Sequence, residues 1–180
     1  GKTTSTPRDY FCYATMLQMN KQGYFPYTPP MTLLRGLRAS IDMMNAEGLD
    51  NIFKRHNHLA SGVRAAVTAW GLKNCAVDKK WHSDTVTAIR VPSDIDANNV
   101  IKTAYYSYGV SLGAGLGPLN GNVFRIGHLG WLNETMVLQA LGGVEMAMRD
   151  VGIRFLPGCG VGAAIEKYTD TKAPMVLAAE

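Results

Sequence analysis

The chain has 180 residues, of which 47% are hydrophobic and 18% charged, and its formal net charge is +4. These values are ordinary for a soluble globular protein and argue against a disordered chain. The length allows one domain with a core, or part of a larger subunit. Basic and acidic residues are interspersed and no apolar stretch reaches the length of a membrane span, so we expect neither nucleic-acid nor membrane binding.

The first half of the chain predicts three helices. A short helix is expected near residues 9–21, before a loop rich in tyrosine and proline. The segment TPP at 28–30 is typical of a helix start, and the helix it begins should end at Gly48. Its apolar face comprises Leu33, Leu34, Leu37, Ile41 and Met44, at three- and four-residue spacing. Asp50 is then expected to cap a third helix, which ends at Gly71.

After Gly71 the period of apolar residues changes to two, which is typical of strands. Strands are expected at residues 72–77, 85–91, 110–112 and 123–126. A helix from Asp96 to Tyr106 separates the two pairs, and Asn133 should cap a last long helix before Gly152. Signals beyond Tyr168 are weak. The order of elements predicts an α+β fold with helices packed on a small, mostly antiparallel sheet.

Cysteine and histidine residues show no spacing typical of a metal site. Cys12, Cys75 and Cys159 lie far apart and are odd in number, which favours a reducing cytoplasm over a disulfide framework. His56 and His58 are two residues apart, so on a helix their side chains diverge. We therefore expect no bound metal and assign the histidines to surface or packing roles.

The stretch FRIGHLG, residues 124–130, places the guanidinium of Arg125 between Phe124 and Ile126. Alternation along a strand would turn Arg125 to the solvent face while its neighbours face the core. Alternatively, the planar fork of donors grips a carboxylate through two parallel hydrogen bonds. The preceding glycine-rich stretch GAGLGPLNGN lacks the placement of a dinucleotide-binding motif, and its glycines fit either plain turns or close approach to a ligand.

The stretch PYTPP, residues 26–30, precedes a predicted helix. A helix N-terminus offers free backbone donors and partial positive charge, which suits a phosphate group. Here two prolines remove donors, so an anion would depend on the Thr28 hydroxyl and the Met31 amide. The alternative is an ordinary threonine cap on a helix that begins with proline.

Three segments together resemble the C-terminal portion of serine–glyoxylate aminotransferases, in the class V aminotransferase family. They are GYFPYTPPMTLLRGLRASIDMMNAEGLDNIFKRH, GAGLGPLNGNVFRIGHLG and ALGGVEMAMRDVG. The match extends to about Tyr168. FRIGHLG after the GxGLG loop is its most specific part, followed by YTPP before LLRGL.

The resemblance implies the C-terminal part of a fold-type I aminotransferase that uses pyridoxal 5'-phosphate. Residues 1–47 would be the end of the large cofactor domain and a connecting helix, and residues 48–180 the small C-terminal domain. The complete enzyme would be a cytoplasmic homodimer that moves the amino group of serine, or of alanine, to glyoxylate and so forms glycine.

The resemblance also implies roles for individual residues. Arg125 occupies the position of the arginine that binds the substrate α-carboxylate. Thr28 matches a threonine that reaches across the dimer interface to the cofactor phosphate. Related alanine–glyoxylate enzymes carry a tyrosine where this chain has Phe25, and Tyr27 or Tyr24 would substitute for it as a phosphate contact.

Enzymes of this kind also need a Schiff-base lysine and an aspartate that pairs with the pyridine nitrogen, and in the family both lie upstream of the matched region. None of the lysines from Lys2 to Lys167 sits in that context. We therefore expect the chain to be inactive without the upstream half of the same subunit. Two alternatives stay open: a stand-alone α+β module that binds a small carboxylate without catalysis, and a purely structural dimerisation fragment.

Overall fold

The computed structural model describes Thr6 and residues 9–171, and it divides the chain into two compact units with the boundary between Ala46 and Glu47. This boundary adjoins the one expected from the sequence. The assignment of the first unit to a cofactor domain, and of the second to a small domain, stays a prediction. Lys2 and the tail after Thr171 lie outside the described residues.

The first unit contributes two helices, α1 (Tyr13–Asn20) and most of α2 (Met31–Glu47). The short helix near residues 9–21 is confirmed in a reduced form, and α2 is confirmed with its expected end. Gly48, at a φ of 81°, ends α2 in a left-handed region that other residues avoid. Neither helix contains a buried residue. The predicted apolar face of α2 therefore exists but is not covered within the described part of the chain.

The second unit contains the four remaining helices and all the strands. The helices are α3 (Leu49–Ala69), α4 (Ala97–Tyr108), α5 (Glu134–Asp150) and α6 (Cys159–Asp170). The strands are β1 (Lys73–Asn74), β2 (Val86–Arg90), β3 (Gly113–Ala114) and β4 (Val123–Gly127), in the sheet order β1-β2-β4-β3 with every pair antiparallel. Short 3₁₀ turns lie at Lys79–Trp81 and Gly117–Leu119. The predicted α+β architecture of helices on a small antiparallel sheet is confirmed.

The core of this unit forms between one face of the sheet and the helices. Its largest fully buried apolar side chains are Leu59, Val63, Val67, Ile89, Val100, Phe124, Leu141, Val144 and Met148. Burial of one such side chain contributes about 1.5–3 kcal/mol. The alternation of β4, with Phe124 and Ile126 buried on one face, fixes the register of the central strand against the helices.

Two expectations about individual elements are wrong, and one helix has no counterpart among the expectations. Gly48, not Asp50, precedes the first residue of α3; Asp50 lies in the first turn, where its charge still complements the helix dipole. The strand expected at 110–112 forms instead at Gly113–Ala114, because α4 runs to Tyr108 and the Val110 amide bonds to the Ala104 carbonyl at its C-terminal end. Helix α6 was not expected at all.

Helix α6 begins in the glycine-rich sequence GCGVG, and a buried carboxylate from α5 caps it. Glu145 accepts hydrogen bonds from the Gly158, Gly160 and Val161 amides at 2.7, 2.8 and 3.1 Å, and from Trp70 Nε1 at 2.9 Å. A Cβ atom on Gly160 would lie 2.2 Å from Trp70 Nε1, so only glycine permits this approach. The capping group thus comes from a different helix, because no side chain close in sequence caps the start of α6.

We predict that Glu145→Gln destabilises the protein. The new amide turns an NH₂ group toward one of the four donors, which leaves a buried pair of donors facing each other and costs about 1.5–3 kcal/mol. The melting temperature should fall by about 3–10 °C for a domain of this size. The matched control is Glu166→Gln on the exposed side of α6, which should change it little. Equal melting temperatures for the two variants would refute the capping role.

Candidate functional site

Arg125 lies on the face of the sheet opposite the core. Phe124 and Ile126, its neighbours on β4, are 0% and 3% exposed and pack in the core, so the pleat turns the Arg125 side chain the other way. The side chain is nevertheless half-buried, and its Nε is buried without a hydrogen-bond partner among the described residues. An unpaired buried donor on a permanently charged group is costly and indicates a place for an acceptor.

Small residues flank Arg125 on both neighbouring strands. Its partners across the sheet are Ala88 on β2 and Gly113 on β3. Neither carries an acidic group, and the described residues include no salt-bridge partner of Arg125. The residues beside the guanidinium therefore have small side chains, and none of them compensates its positive charge. Such a site suits the binding of a small anion better than a structural ion pair.

The end of β4 is held by His128, which is fully buried. Its Nε2 lies 2.9 Å from Thr87 Oγ1 and its Nδ1 lies 3.0 Å from the Asp84 carbonyl oxygen. Since a carbonyl only accepts, Nδ1 carries the proton and the neutral Nε2 accepts from the threonine hydroxyl. Burial lowers the pKa of His128 below 6.5 and outweighs the opposing effect of the Asp84 carbonyl.

Helix α3 holds the backbone that follows His128. Arg55 Nη1 donates to the carbonyl oxygens of Gly130 and Leu132 at 2.8 and 3.2 Å, while its Nε and Nη2 donate to the two carboxylate oxygens of Glu47 at 2.6 and 2.9 Å. The Gly130 amide donates to His56 Nε2 at 3.0 Å. Three hydrogen bonds to two side chains of one helix thus fix the segment after β4, and with it the end of the strand that carries Arg125.

The loop before β4 is closed by backbone contacts. The Gly115 amide bonds to the Val123 carbonyl at 3.0 Å, and a Cβ atom on Gly115 would lie 2.1 Å from the Leu119 carbonyl oxygen. The Gly121 carbonyl accepts from the Ala97 amide at 2.8 Å, at the start of α4. Gly115, Gly117 and Gly121 therefore serve tight turns, which is one of the two interpretations of the glycine-rich stretch.

The proposed phosphate contacts lie in the first unit. Thr28 is exposed, three residues before α2, and its hydroxyl has no hydrogen bond within the described residues. It is therefore not the helix cap that the alternative interpretation assumed. The Met31 amide, expected to be a free donor, is occupied by the Pro29 carbonyl at 2.9 Å. Of the two donors that the sequence suggested, the Thr28 hydroxyl is the one left to meet an anion.

Tyr27 is already engaged within the same unit. Its hydroxyl donates to Asp9 Oδ1, and its ring stacks on Tyr10 at a centroid distance of 4.7 Å. The hydrogen bond to the carboxylate raises the pKa of Tyr27 above 10.0. To donate to a phosphate, Tyr27 would have to release Asp9, whose negative charge disfavours an anion nearby. Tyr27 thus fits a phosphate contact less well than Thr28 does.

A small concavity lies at the opposite edge of the sheet from β3. It is lined by Arg64, Asn74, Ala76, Trp81, His82, Ser83, Val86, Thr87 and Ala88. Arg125 does not line it, although Ala88 is its direct cross-strand neighbour. The Arg125 guanidinium therefore lies outside this concavity.

The sequence interpretation missed the residues that hold the site. It assigned the histidines to surface or packing roles, and His56 and His128 are indeed buried, but both also fix the backbone around β4. Arg55 and Glu47 received no role. The sequence shows Arg55 and Glu47 only as opposite charges eight residues apart on either side of Gly48. This spacing indicates an ion pair only once the turn between α2 and α3 is known.

The described part of the chain contains no helix long and apolar enough to cross a membrane. Among the same residues there is no group of three or more side chains placed to hold a metal ion.

Comparison with known proteins relates the chain to aminotransferases. Serine–glyoxylate aminotransferase of Hyphomicrobium methylovorum is 57% identical over 162 residues, which cover 90% of this chain and 40% of that protein. L-aspartate–glyoxylate aminotransferase of Paracoccus denitrificans is 48% identical over 172 residues, or 96% of this chain and 43% of the relative. The chain thus spans about two fifths of the length of these relatives. No protein-family model matches it.

The fold gives the same relation. The crystal structure of pyridoxamine–pyruvate aminotransferase from Mesorhizobium loti superposes with a TM-score of 0.78 at 32% identity, over 82% of this chain and 38% of that one. Helices on a small four-stranded antiparallel sheet match the C-terminal domain of such enzymes. These similarities support an aminotransferase over a stand-alone binding module.

We predict that the protein loses stability in mild acid because of His128. The unfolded chain binds a proton at this side chain near the ordinary pKa of 6.5, whereas the folded chain binds it only at lower pH. The stability contributed by neutral His128 is therefore complete above that value and is lost as the pH falls toward the folded pKa. His128→Gln cannot titrate, so its melting temperature should fall less than that of the wild type between about pH 7.5 and about pH 5.5. An identical fall in both proteins would contradict the prediction.

Proposed function

Because the chain belongs to the class V aminotransferases and corresponds to the C-terminal portion of serine–glyoxylate aminotransferases, we propose that the complete subunit transfers the amino group of serine, or of alanine, to glyoxylate. The products are glycine and the 2-oxo acid of the donor. A relative at 48% identity is named for aspartate as donor, so the donor pocket differs among similar proteins. The common feature of every such substrate is an α-carboxylate.

The observation that carries the proposal is the state of Arg125. Its guanidinium is half-buried, lacks a counter-ion among the described residues, and has a buried Nε without a partner. A substrate carboxylate supplies both the missing negative charge and hydrogen-bond acceptors in a geometry that matches the guanidinium fork. Gripping the carboxylate fixes the orientation of the α-carbon, so that the bond to be broken can be aligned with the reacting group.

The donor chemistry of the first unit fits pyridoxal 5'-phosphate only in part. Thr28 offers a free hydroxyl for the cofactor phosphate, whereas Tyr27 is bound to Asp9 and would need to change partner. When bound, the cofactor supplies the electron sink that makes the α-proton of an amino acid acidic. The role of Thr28 is then to hold one phosphate oxygen, and that of Arg125 to hold the substrate carboxylate.

Two further partners complete the enzyme in this proposal. The upstream half of the same subunit provides the lysine and the aspartate that the matched region lacks, so that the 180 residues alone are inactive. A second copy of the subunit forms a homodimer, in which Thr28 of one subunit reaches the cofactor phosphate bound by the other. The exposed apolar face of α2, with Leu33 71% and Leu37 53% exposed, supports a covering partner, since isolated proteins rarely leave such a stripe in water.

We also place the complete enzyme in the cytoplasm. Cys75 and Cys159 are free thiols, which suits a reducing compartment.

We predict that Arg125→Ala in the full-length enzyme raises the KM for glyoxylate and for serine. Loss of a charge-assisted bidentate pair should cost about 1.5–3 kcal/mol, or about one to two powers of ten in kcat/KM. The absorbance of bound cofactor should stay near that of the wild type. The readout is steady-state kinetics with each substrate varied in turn.

The matched control for this prediction is Arg90→Ala. Arg90 lies on β2 on the same face of the sheet but is exposed, so its removal should leave KM unchanged. The isolated 180-residue chain serves as a blank and should transfer no amino groups. An unaltered KM in Arg125→Ala would remove Arg125 from the substrate site.

We predict that Thr28→Ala weakens cofactor retention and leaves KM for the carboxylate substrates nearly unchanged. The lost hydrogen bond to a charged phosphate should increase the cofactor dissociation constant by about one to two powers of ten. The measurement is the cofactor released on dialysis of the full-length enzyme. Thr28→Ser keeps the hydroxyl and should retain the cofactor as the wild type does; equal release from all three proteins would show that Thr28 does not contact the phosphate.

A further inference from the structure

We propose that Gly113 is a positioning residue for Arg125: its missing side chain lets the guanidinium lie across β3, and this sets the place at which a substrate carboxylate binds. The inference rests on the proposed function, because it concerns the same arginine. It adds a residue on the neighbouring strand that touches neither substrate nor cofactor and acts only through Arg125.

The geometry of the strand pair carries the inference. Gly113 and Arg125 are direct cross-strand partners. A Cβ atom built on Gly113 would lie 3.0 Å from Nε, 3.2 Å from Cβ and 3.3 Å from Nη2 of Arg125. These three atoms run from the base of the arginine side chain to its head. The side chain therefore extends along the surface of β3 and covers the position that a side chain of residue 113 would occupy.

Backbone conformation does not explain the glycine at this position. Gly117 and Gly121 in the same loop have φ values of 53° and 76°, which favour glycine for conformational reasons. Gly115 is required because its Cβ would overlap the Leu119 carbonyl. Gly113 has no positive φ, and the atoms that a Cβ would crowd all belong to the Arg125 side chain. The arginine is thus what occupies the space that this glycine leaves.

An added methyl group at residue 113 would move the guanidinium. Contacts of 3.0–3.3 Å are tighter than ordinary van der Waals separations, so the long side chain of Arg125 must shift by a few tenths of an ångström. The partner on the other side is Ala88, whose small side chain leaves room for a shift toward β2. Two parallel hydrogen bonds to a carboxylate depend on both distance and angle, so such a shift weakens carboxylate binding.

The test is Gly113→Ala in the full-length enzyme with cofactor bound. We expect KM for both glyoxylate and serine to rise about three- to tenfold, since a misplacement of about 1 Å already costs about a hundredfold. We expect kcat, cofactor absorbance and melting temperature to change little. The matched control is Gly127→Ala at the end of β4, on the same sheet face, where an added Cβ meets nothing within 4 Å. It should leave KM unchanged.

A double variant separates positioning from general disturbance. In the Arg125→Ala background the guanidinium is gone, so Gly113→Ala should raise KM no further. If Gly113→Ala multiplies KM by the same factor with and without Arg125, the glycine does not act through the arginine and the inference is overturned. A lowered melting temperature with unchanged KM would overturn it as well, by showing a purely structural role.

The outcomes also separate this inference from the function on which it rests. If Arg125→Ala raises KM but Gly113→Ala leaves it at the wild-type value, only the role of Gly113 is refuted. If Arg125→Ala itself leaves KM unchanged, the carboxylate site is refuted and the positioning role falls with it.

Discussion

The alternation of side chains along β4 is the constraint on which both the fold of the second unit and its candidate site depend. Phe124 and Ile126 contribute about 1.5–3 kcal/mol each by burial, and this fixes which face of the strand meets the helices. A slip of one residue would expose both and turn Arg125 into the core, where an unpaired charge costs several kcal/mol. The same apolar pair that stabilises the sheet therefore also determines the direction of the guanidinium.

Direction alone does not give a binding position, and the surrounding residues supply the rest. His128 ties the end of β4 to Thr87 and to the Asp84 carbonyl, and Arg55 ties the following segment to α3. Three of their partners are backbone carbonyls and the others are Thr87 and Glu47, so the strand is held without using Arg125. Arg125 is thus a flexible side chain on a firmly anchored strand, which is why the size of its neighbour on β3 can decide where its head group lies.

The sequence predicted those elements whose cause is local and missed those whose cause is distant. Asn133 caps α5 as expected, and Asp96, expected as the first residue of its helix, caps α4, because a side-chain cap needs only residues close in sequence. Helix α6 was missed because its first turn contains glycines of low helix propensity, and its cap is Glu145 from another helix. The sequence predicts β3 at 110–112, before its actual position at Gly113–Ala114. The reason is that α4 continues past Tyr106 to Tyr108, with Gly109 at its C-cap.

The candidate site shows the same division. The residue type of Arg125 and its position in a predicted strand suggest that it binds a carboxylate. The same pattern is equally consistent with an arginine that faces solvent. The buried and unpartnered Nε favours the carboxylate interpretation, and it is a property of three-dimensional packing that no spacing in the sequence encodes. For Thr28 the local alternative fails instead, because α2 begins at Met31, two residues later than a helix capped by Thr28 would begin.

Each of the two units carries groups that have no partner among the described residues. The second unit offers a charged group without an anion, and the first offers an exposed hydroxyl and an uncovered apolar helix face. An unpaired buried donor is costly, and an apolar helix face exposed to water lacks the stabilisation that burial would give. Under the proposed function, a substrate carboxylate, a cofactor phosphate and further protein surface meet these groups, and their binding stabilises the fold by mass action.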